Sequence, residues 1–216
     1  MKSWIAFCPD YEVFRWDDQN VPLADNEYVR QAYAGERWAF VSDYVRLRAL
    51  AAYGGLYLDT DVELVRPVDR FLNQEGFMGF ESAKAVATCV IGAEAGHPFI
   101  TRLAEAYSDR AFLRVNGTAD ETTNVAWTTR EMVRSGLKLD GTRQQVDGMT
   151  IYPADYFSPK DLRTGRLSVT AQTVAIHHLQ ASWMSPRQRF HTRAAQWLGP
   201  RNTERLKRLM GRTHDD

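Results

Sequence analysis

Apolar and polar positions along this 216-residue chain fall into short blocks punctuated by turn residues, and the blocks predict alternating strands and helices. A short helix end opens the chain. The run YEVFRW at residues 11–16 then predicts a strand, closed by the turn-prone Asp17-Asp18-Gln19-Asn20. A helix is predicted near residues 26–35. Ser42 stands as an N-cap before residues 43–53, a stretch rich in Leu, Arg and Ala that stops at Gly54-Gly55, the left-handed stop expected of a helix end. Directly after the glycines comes LYLDTDV at residues 56–62, an apolar run short enough for a buried strand. Further strands are predicted at residues 76–80, 86–92, 150–152 and 173–177, with helices near residues 98–109 and 124–135. Strands alternating with helices predict an α/β fold around a mostly parallel central sheet. No repeat or linker-like stretch divides the chain, so one domain is expected over residues 1–185.

Composition narrows the function. Hydrophobic residues make up 44% and charged residues 25%, the balance of a folded protein. Lys plus Arg and Asp plus Glu number 27 each, so no net field would hold the chain on a polyanion, and nucleic acid is not an expected partner. Cys8 and Cys89 stand far apart and near no clustered His, which shows neither a disulfide framework nor a zinc-finger pattern and fits a reducing cytoplasm. No apolar run approaches the roughly 18 residues that span a bilayer, and the acids among the first twenty residues do not fit a signal peptide. Residues 186–216 differ from the rest. There Arg187, Arg189, Arg193, Arg201, Arg205, Lys207, Arg208 and Arg212 alternate with Phe190, Trp197, Leu198, Leu206 and Leu209, a basic amphipathic helical tail that either faces water or makes peripheral contact with an inner membrane face.

The chemistry-bearing positions follow the LYLDTDV run. Residues two apart on a strand point the same way, so Tyr57, Asp59 and Asp61 are expected on one face at the strand's exit, where open α/β sheets bind ligands. Two adjacent carboxylates repel unless a cation, a hydrogen bond or a proton relieves them, and oxygen ligands suit Mg²⁺ or Mn²⁺. An acidic turn capping backbone amides is the alternative. Asp43 and Arg46, three apart, share a helical face and, taken alone, are a surface ion pair. His177 and His178 are adjacent in a predicted strand, so only one of them faces the side from which the other is turned away.

The segment SDYVRLRALAAYGGLYLDTDVEL at residues 42–64 closely resembles the DXD region of glycosyltransferase family 32, which includes fungal outer-chain mannosyltransferases and bacterial capsule and lipopolysaccharide sugar transferases. CPDYEVFRWDD, RWAFVSD, GAEAGHP, IYPADYFSP and AIHHLQASW look like further blocks of that family in the same order. The resemblance implies a GT-A nucleotide-sugar-binding fold and transfer of a hexose from a UDP- or GDP-sugar donor, with retention, to a glycan or lipid-linked acceptor in cell-surface polysaccharide assembly. It implies that Asp59 and Asp61 are the catalytic and metal-site acids, Asp61 binding Mn²⁺ or Mg²⁺ directly and Asp59 reaching ribose, sugar or a metal-bound water, with His177 as a further metal ligand. Similarity to the clostridial glucosylating toxins implies that Asp43 and Arg46 grip the donor sugar and that Tyr57 lies against the nucleotide. The block ending at Ser182 and Trp183 is expected to meet the leaving phosphate.

Two departures from the family pattern are visible. Family members usually begin with a strand resembling IPKIIHxxWFG, and none of it is found here, so a GT-A fold lacking its usual first strand is expected. The block around Ala87-Thr88-Cys89-Val90 also lacks an Asn before GAE. Two other functions fit parts of the chain: a non-catalytic sugar- or nucleotide-binding remnant, and a haloacid-dehalogenase-type phosphatase with Asp59 as nucleophile and Asp61 as general acid.

Overall fold

The computed structural model describes residues 2–17, 19–21, 26–162 and 164–179. Among the described residues five α-helices and seven strands are arranged in an α/β fold. In chain order they are α1 (Lys2–Phe7), α2 (Glu27–Ala34), α3 (Trp38–Tyr53), β1 (Gly55–Leu58), β2 (Val62–Leu64), β3 (Gly76–Ser82), β4 (Ala85–Ala93), α4 (Pro98–Glu105), α5 (Asn124–Arg134), β5 (Gln144–Val146), β6 (Met149–Tyr152) and β7 (Ala175–His177). Five strands form one sheet in the order β1-β4-β3-β6-β5, and β2 pairs with β7 in a second, two-stranded sheet.

The sheet is not mostly parallel. Only β3 and β6 run parallel, while β1–β4, β3–β4 and β5–β6 are antiparallel. The reason lies in connection length. Ala83 and Lys84 alone separate β3 from β4, which closes a hairpin, whereas a parallel crossover needs roughly a dozen residues.

The sheet carries a hydrophobic cluster on each face, with the strand alternation interrupted in β4, where a register shift against β3 puts the neighbours Cys89 and Val90 in the same cluster. On one side Met78, Phe80, Ile91, Met149 and Ile151 meet Tyr28 and Val29 of α2, Leu47 and Leu50 of α3, and Phe99, Ile100 and Leu103 of α4. On the other, Phe77, Cys89, Val90 and Tyr152 meet Val62, Leu64, Phe71, Phe157 and Ala175. Each such fully buried side chain contributes roughly 1.5–3 kcal/mol of transfer free energy.

Four local expectations are corrected. Residues 11–16 form no strand: Val13 and Phe14 are exposed, and Phe14 stacks on Tyr53 with ring centroids 6.4 Å apart instead of joining a ladder. Ser42 does not cap α3, which begins four residues earlier at Trp38; the Ser42 hydroxyl instead donates back to Ala39 O at 2.8 Å. The apolar faces of Phe40 and Val41 extend the helix past the polar residue that would have capped it. The predicted strand 56–62 is two strands, β1 and β2, separated by a turn at Asp59-Thr60-Asp61. The predicted strand at 173–177 shortens to β7 and belongs to the small sheet. The stop of α3 is as expected: Gly54 has φ 66°, and a Cβ there would come within 2.5 Å of Ala95 N.

Among the described residues no helix is long and apolar enough to cross a membrane. Ser182, Trp183, the boundary at residue 185 and the tail at 186–216 lie outside the described residues.

Candidate active site

The switch of the chain from the large sheet to the small one builds the site. Asp59 N–H still donates to Cys89 O of β4 at 2.9 Å, so Asp59 ends the β1 ladder. Three residues on, Val62 N–H donates back to Asp59 O at 2.9 Å, closing a turn, and the chain then pairs with β7. His177 lies opposite Val62 in that pairing, and His178 N–H donates to Asp61 O at 3.0 Å. The two acids therefore meet through a turn and not through a shared strand face, and β7 delivers the histidine.

The three side chains converge. His177 Nε2 is 3.2 Å from Asp61 Oδ1 and 3.9 Å from Asp59 Oδ2. One ligand atom from each of Asp59, Asp61 and His177 lies within 4.8 Å of the others. Burial alone would lower the His177 pKa, but its hydrogen bond to Asp61, the Cys89 contact and the Asp61 charge push it up to about 10. The imidazolium thus occupies the place of a positive charge between two carboxylates, and that donor set, two oxygens and one imidazole nitrogen, fits a divalent cation in the proton's stead. His178 is turned away and pairs with Glu63 at 2.9 Å on the exposed side of β2.

Arg46 holds the wall beside this cluster. It is buried, not a surface residue, and its Nη2 lies 2.8 Å from Asp43 Oδ1 while Nη1 lies 3.3 Å from Asp59 Oδ1. Nη1 also donates to Thr88 O at 2.9 Å, Nη2 to Ser42 Oγ at 3.2 Å, and the guanidinium sits 4.6 Å above the Tyr57 ring. Tyr57 OH donates to Asp59 Oδ1 at 2.6 Å. Burial raises the Asp43 carboxyl pKa, Arg46 opposes it, and the neighbouring Asp59 charge adds to the rise. Burial likewise takes the Tyr57 phenol well above its usual value, keeping it a neutral donor to Asp59.

These residues line one cavity of about 490 Å³, within the size range of small-molecule sites. Asp43, Arg46, Tyr57, Asp59, Asp61 and His177 are all on its walls. So are three residues that sequence reasoning missed. Glu81, at the end of β3, has its pKa raised by burial, with His177 opposing and Asp59 reinforcing. Thr88 offers its carbonyl and hydroxyl to Arg46. Asn124 begins α5 against the Asp43 carboxylate. A signal for Glu81 was available, since it ends the apolar run GFMGF as Asp59 ends LYL. None marked Asn124, which reaches Asp43 only through the packing of α5.

Comparison with known proteins bears on the same segment. Residues 1–78 match the family described as glycosyltransferase sugar-binding region containing DXD motif. The chain is also 33% identical over 110 residues to inositol phosphoceramide mannosyltransferase 3 of Schizosaccharomyces pombe, a match that covers 47% of this chain and 30% of that protein. No solved structure matches the chain. The matched region includes α3, the glycine turn and the Asp59-Thr60-Asp61 turn, so the likeness to that DXD sugar-binding family falls on the elements that bring Asp59 and Asp61 into the cavity, while β7 and His177 lie outside it.

Proposed function

We propose that the protein moves a hexose from a UDP- or GDP-sugar, with retention at the anomeric carbon, to a glycan or glycolipid acceptor in the assembly of cell-surface polysaccharide or glycolipid. The observation that carries this is the convergence of Asp59, Asp61 and His177 beside the Asp43–Arg46 pair in one cavity. Asp59, Asp61 and His177 would hold Mn²⁺ or Mg²⁺. A divalent cation there supplies Lewis-acid stabilisation of the charge that develops on the leaving diphosphate. Asp43 accepts hydrogen bonds from donor-sugar hydroxyls, and Arg46 fixes the angle of both Asp43 and Asp59 towards the cavity. Tyr57 lies against the nucleotide while its hydroxyl steadies Asp59. Ser182 and Trp183 meet the leaving phosphate. The acceptor hydroxyl attacks on the face from which the diphosphate departs and passes its proton to that diphosphate; a covalent glycosyl-enzyme trapped on Glu81 would overturn this route.

The named activity of the fungal relative makes lipid-linked acceptors the first to test, and a cytoplasmic location, with residues 186–216 as a tail for the inner membrane face, is part of the same proposal. The test is calorimetric titration of UDP and GDP with and without Mn²⁺. Metal-dependent binding of one nucleotide, lost in Asp61→Asn, is expected; binding indifferent to metal and to Asp61→Asn would refute the proposal. A second reading, binding without turnover, draws on one observation: β1, which leads to Asp59, is an edge strand of the large sheet. Nucleotide binding without any sugar transfer or donor hydrolysis would favour it. The phosphatase reading fares worse, because Asp59 Oδ1 is already engaged by Tyr57 and Arg46 and is a poor nucleophile. Release of phosphate from an aryl phosphate would revive it.

A further inference from the structure

Four carboxylates stand on the wall of the catalytic cavity, and three of them are held by the protein. Asp43 and Asp59 are engaged by Arg46, Asp59 also by Tyr57, and Asp61 by His177. Glu81 is the fourth. Half-buried at the end of β3, its carboxylate forms no hydrogen bond or ion pair among the described residues. Only the His177 charge favours its ionised form, against burial and the Asp59 charge. Holding a carboxylate there with no donor costs the fold stability, a cost that proteins keep where a ligand supplies the missing partner. Its place in the sheet is defined by β4. Asp59 N–H donates to Cys89 O on one side of that strand, while Gly79 and Phe80 of β3 pair with Ala87 and Val86 on the other. The cavity wall that β4 contributes between the two acids is Ala87, Thr88 and Cys89, with no side chain larger than threonine. Asp43 on α3 and Glu81 on β3 thus approach Asp59 from different elements, and the Asp59 charge acts on both.

We propose that Glu81 reads a hydroxyl of the transferred hexose, so that Asp43 and Glu81 grip the sugar from two elements beside the diphosphate. The inference rests on the transferase reading above and deepens it by adding a specificity-determining residue. An ionised carboxylate only accepts hydrogen bonds, so the partner of Glu81 is a donor, and a phosphate is repelled. The cation cluster is made by Asp59, Asp61 and His177 and does not take in Glu81. The nucleotide lies on the Tyr57 side, and β4 stands between β1, which carries Tyr57, and β3, which carries Glu81. The hexose is the donor-rich group tethered within reach, because it is bonded to the diphosphate that the cation holds, and two of the cation's ligands, Asp59 and His177, act on Glu81. A site that pairs a buried carboxylate with one hydroxyl rejects sugars lacking that hydroxyl, since the carboxylate is then left without a partner.

The probes are UDP-glucose, UDP-galactose and GDP-mannose with Mn²⁺, each titrated into the full chain by calorimetry beside its bare nucleotide. Glu81→Gln keeps the shape and removes the charge. It should weaken the bound nucleotide sugar about tenfold or more, the loss of one charge-assisted hydrogen bond, and leave the bare nucleotide unchanged. Deoxyfluoro analogues of that nucleotide sugar then identify the hydroxyl. Replacing the one that Glu81 reads should weaken binding to the unaltered chain by a similar factor and to Glu81→Gln no further, because the contact is already gone. The urea midpoint of Glu81→Gln in metal-free buffer should not fall, which shows that the loss is not unfolding. Three results would overturn the proposal: nucleotide-sugar affinity indifferent to Glu81→Gln, an equal loss for the bare nucleotide, or every analogue weakening the variant as much as the unaltered chain. An unaltered chain that binds nucleotide but none of the three sugars also overturns it, while the nucleotide reading stands. If that chain binds no nucleotide at all, the transferase reading itself fails and this proposal with it.

Discussion

Replacing Arg46 with Met tests how the site is held together. The substitution keeps the apolar stem and its packing but removes the guanidinium that lies 2.8 Å from Asp43 and 3.3 Å from Asp59. A unit pair at ~4 Å is worth ~4 kcal/mol at an effective dielectric of ~20, so two carboxylates give a gross attraction of about 8 kcal/mol, set against the desolvation of all three charges. Breaking a buried pair by removing one partner costs about 3–5 kcal/mol, since the other charge stays buried without compensation. Arg46 serves two carboxylates and also satisfies Thr88 O and Ser42 Oγ, which places the loss at the upper end of that range. For a chain of this length that is a fall in Tm of roughly 6–20 °C. Urea unfolding followed by tryptophan fluorescence in metal-free buffer measures it. The double variant Arg46→Met with Asp43→Asn should recover at least ~1 kcal/mol, because one of the two stranded charges has gone. A single-variant loss below ~1 kcal/mol, or no recovery in the double, would refute the view that Arg46 is the electrostatic centre of the site.

The other expectations are briefer. Gly54→Ala should destabilise by about 1–3 kcal/mol, because φ 66° disfavours a side chain and the new Cβ would press on the backbone at Ala93 and Ala95; unchanged urea midpoints would show that the turn relaxes freely. At Asp120 burial would raise the pKa, but Thr122's hydroxyl and amide and the Arg110 guanidinium hold the carboxyl below its ordinary 3.8. A depressed folded-state pKa stabilises above the unfolded value and is lost as pH falls through the folded one, so Asp120→Asn should cost about 1 kcal/mol at neutral pH and progressively less as pH falls below 3.8; a pH-independent difference would contradict this. Asp61→Asn should abolish the metal dependence of nucleotide binding and, because it removes the carboxylate that holds the His177 imidazolium, lower stability in metal-free buffer by about 1–3 kcal/mol; metal dependence that survives the change would refute the assignment of Asp61.

Local order along the chain was enough for several parts of this protein. The α/β class, the glycine stop of α3 at Gly54, the strand that leads to Asp59, and the family likeness of residues 42–64 all follow from short-range pattern, where a helix period, a left-handed glycine or an apolar run acts over a few residues. Tertiary structure decided the rest. Strand direction depends on which segments cross the sheet and which turn back, so the antiparallel pairing of β3 with β4 overrode the parallel expectation. Ser42 had the chemistry of a cap, but burial of Phe40 and Val41 against the core outweighs a single capping hydrogen bond and moves the helix start to Trp38. Asp43 and Arg46 have the spacing of any exposed i, i+3 pair; only packing against β1, β4 and α5 makes them a buried clamp on Asp59. His177 lies 116 residues beyond Asp61, and what brings the two together is a β2–β7 ladder, formed because Leu64 and Ala175 share a hydrophobic cluster that local sequence does not encode.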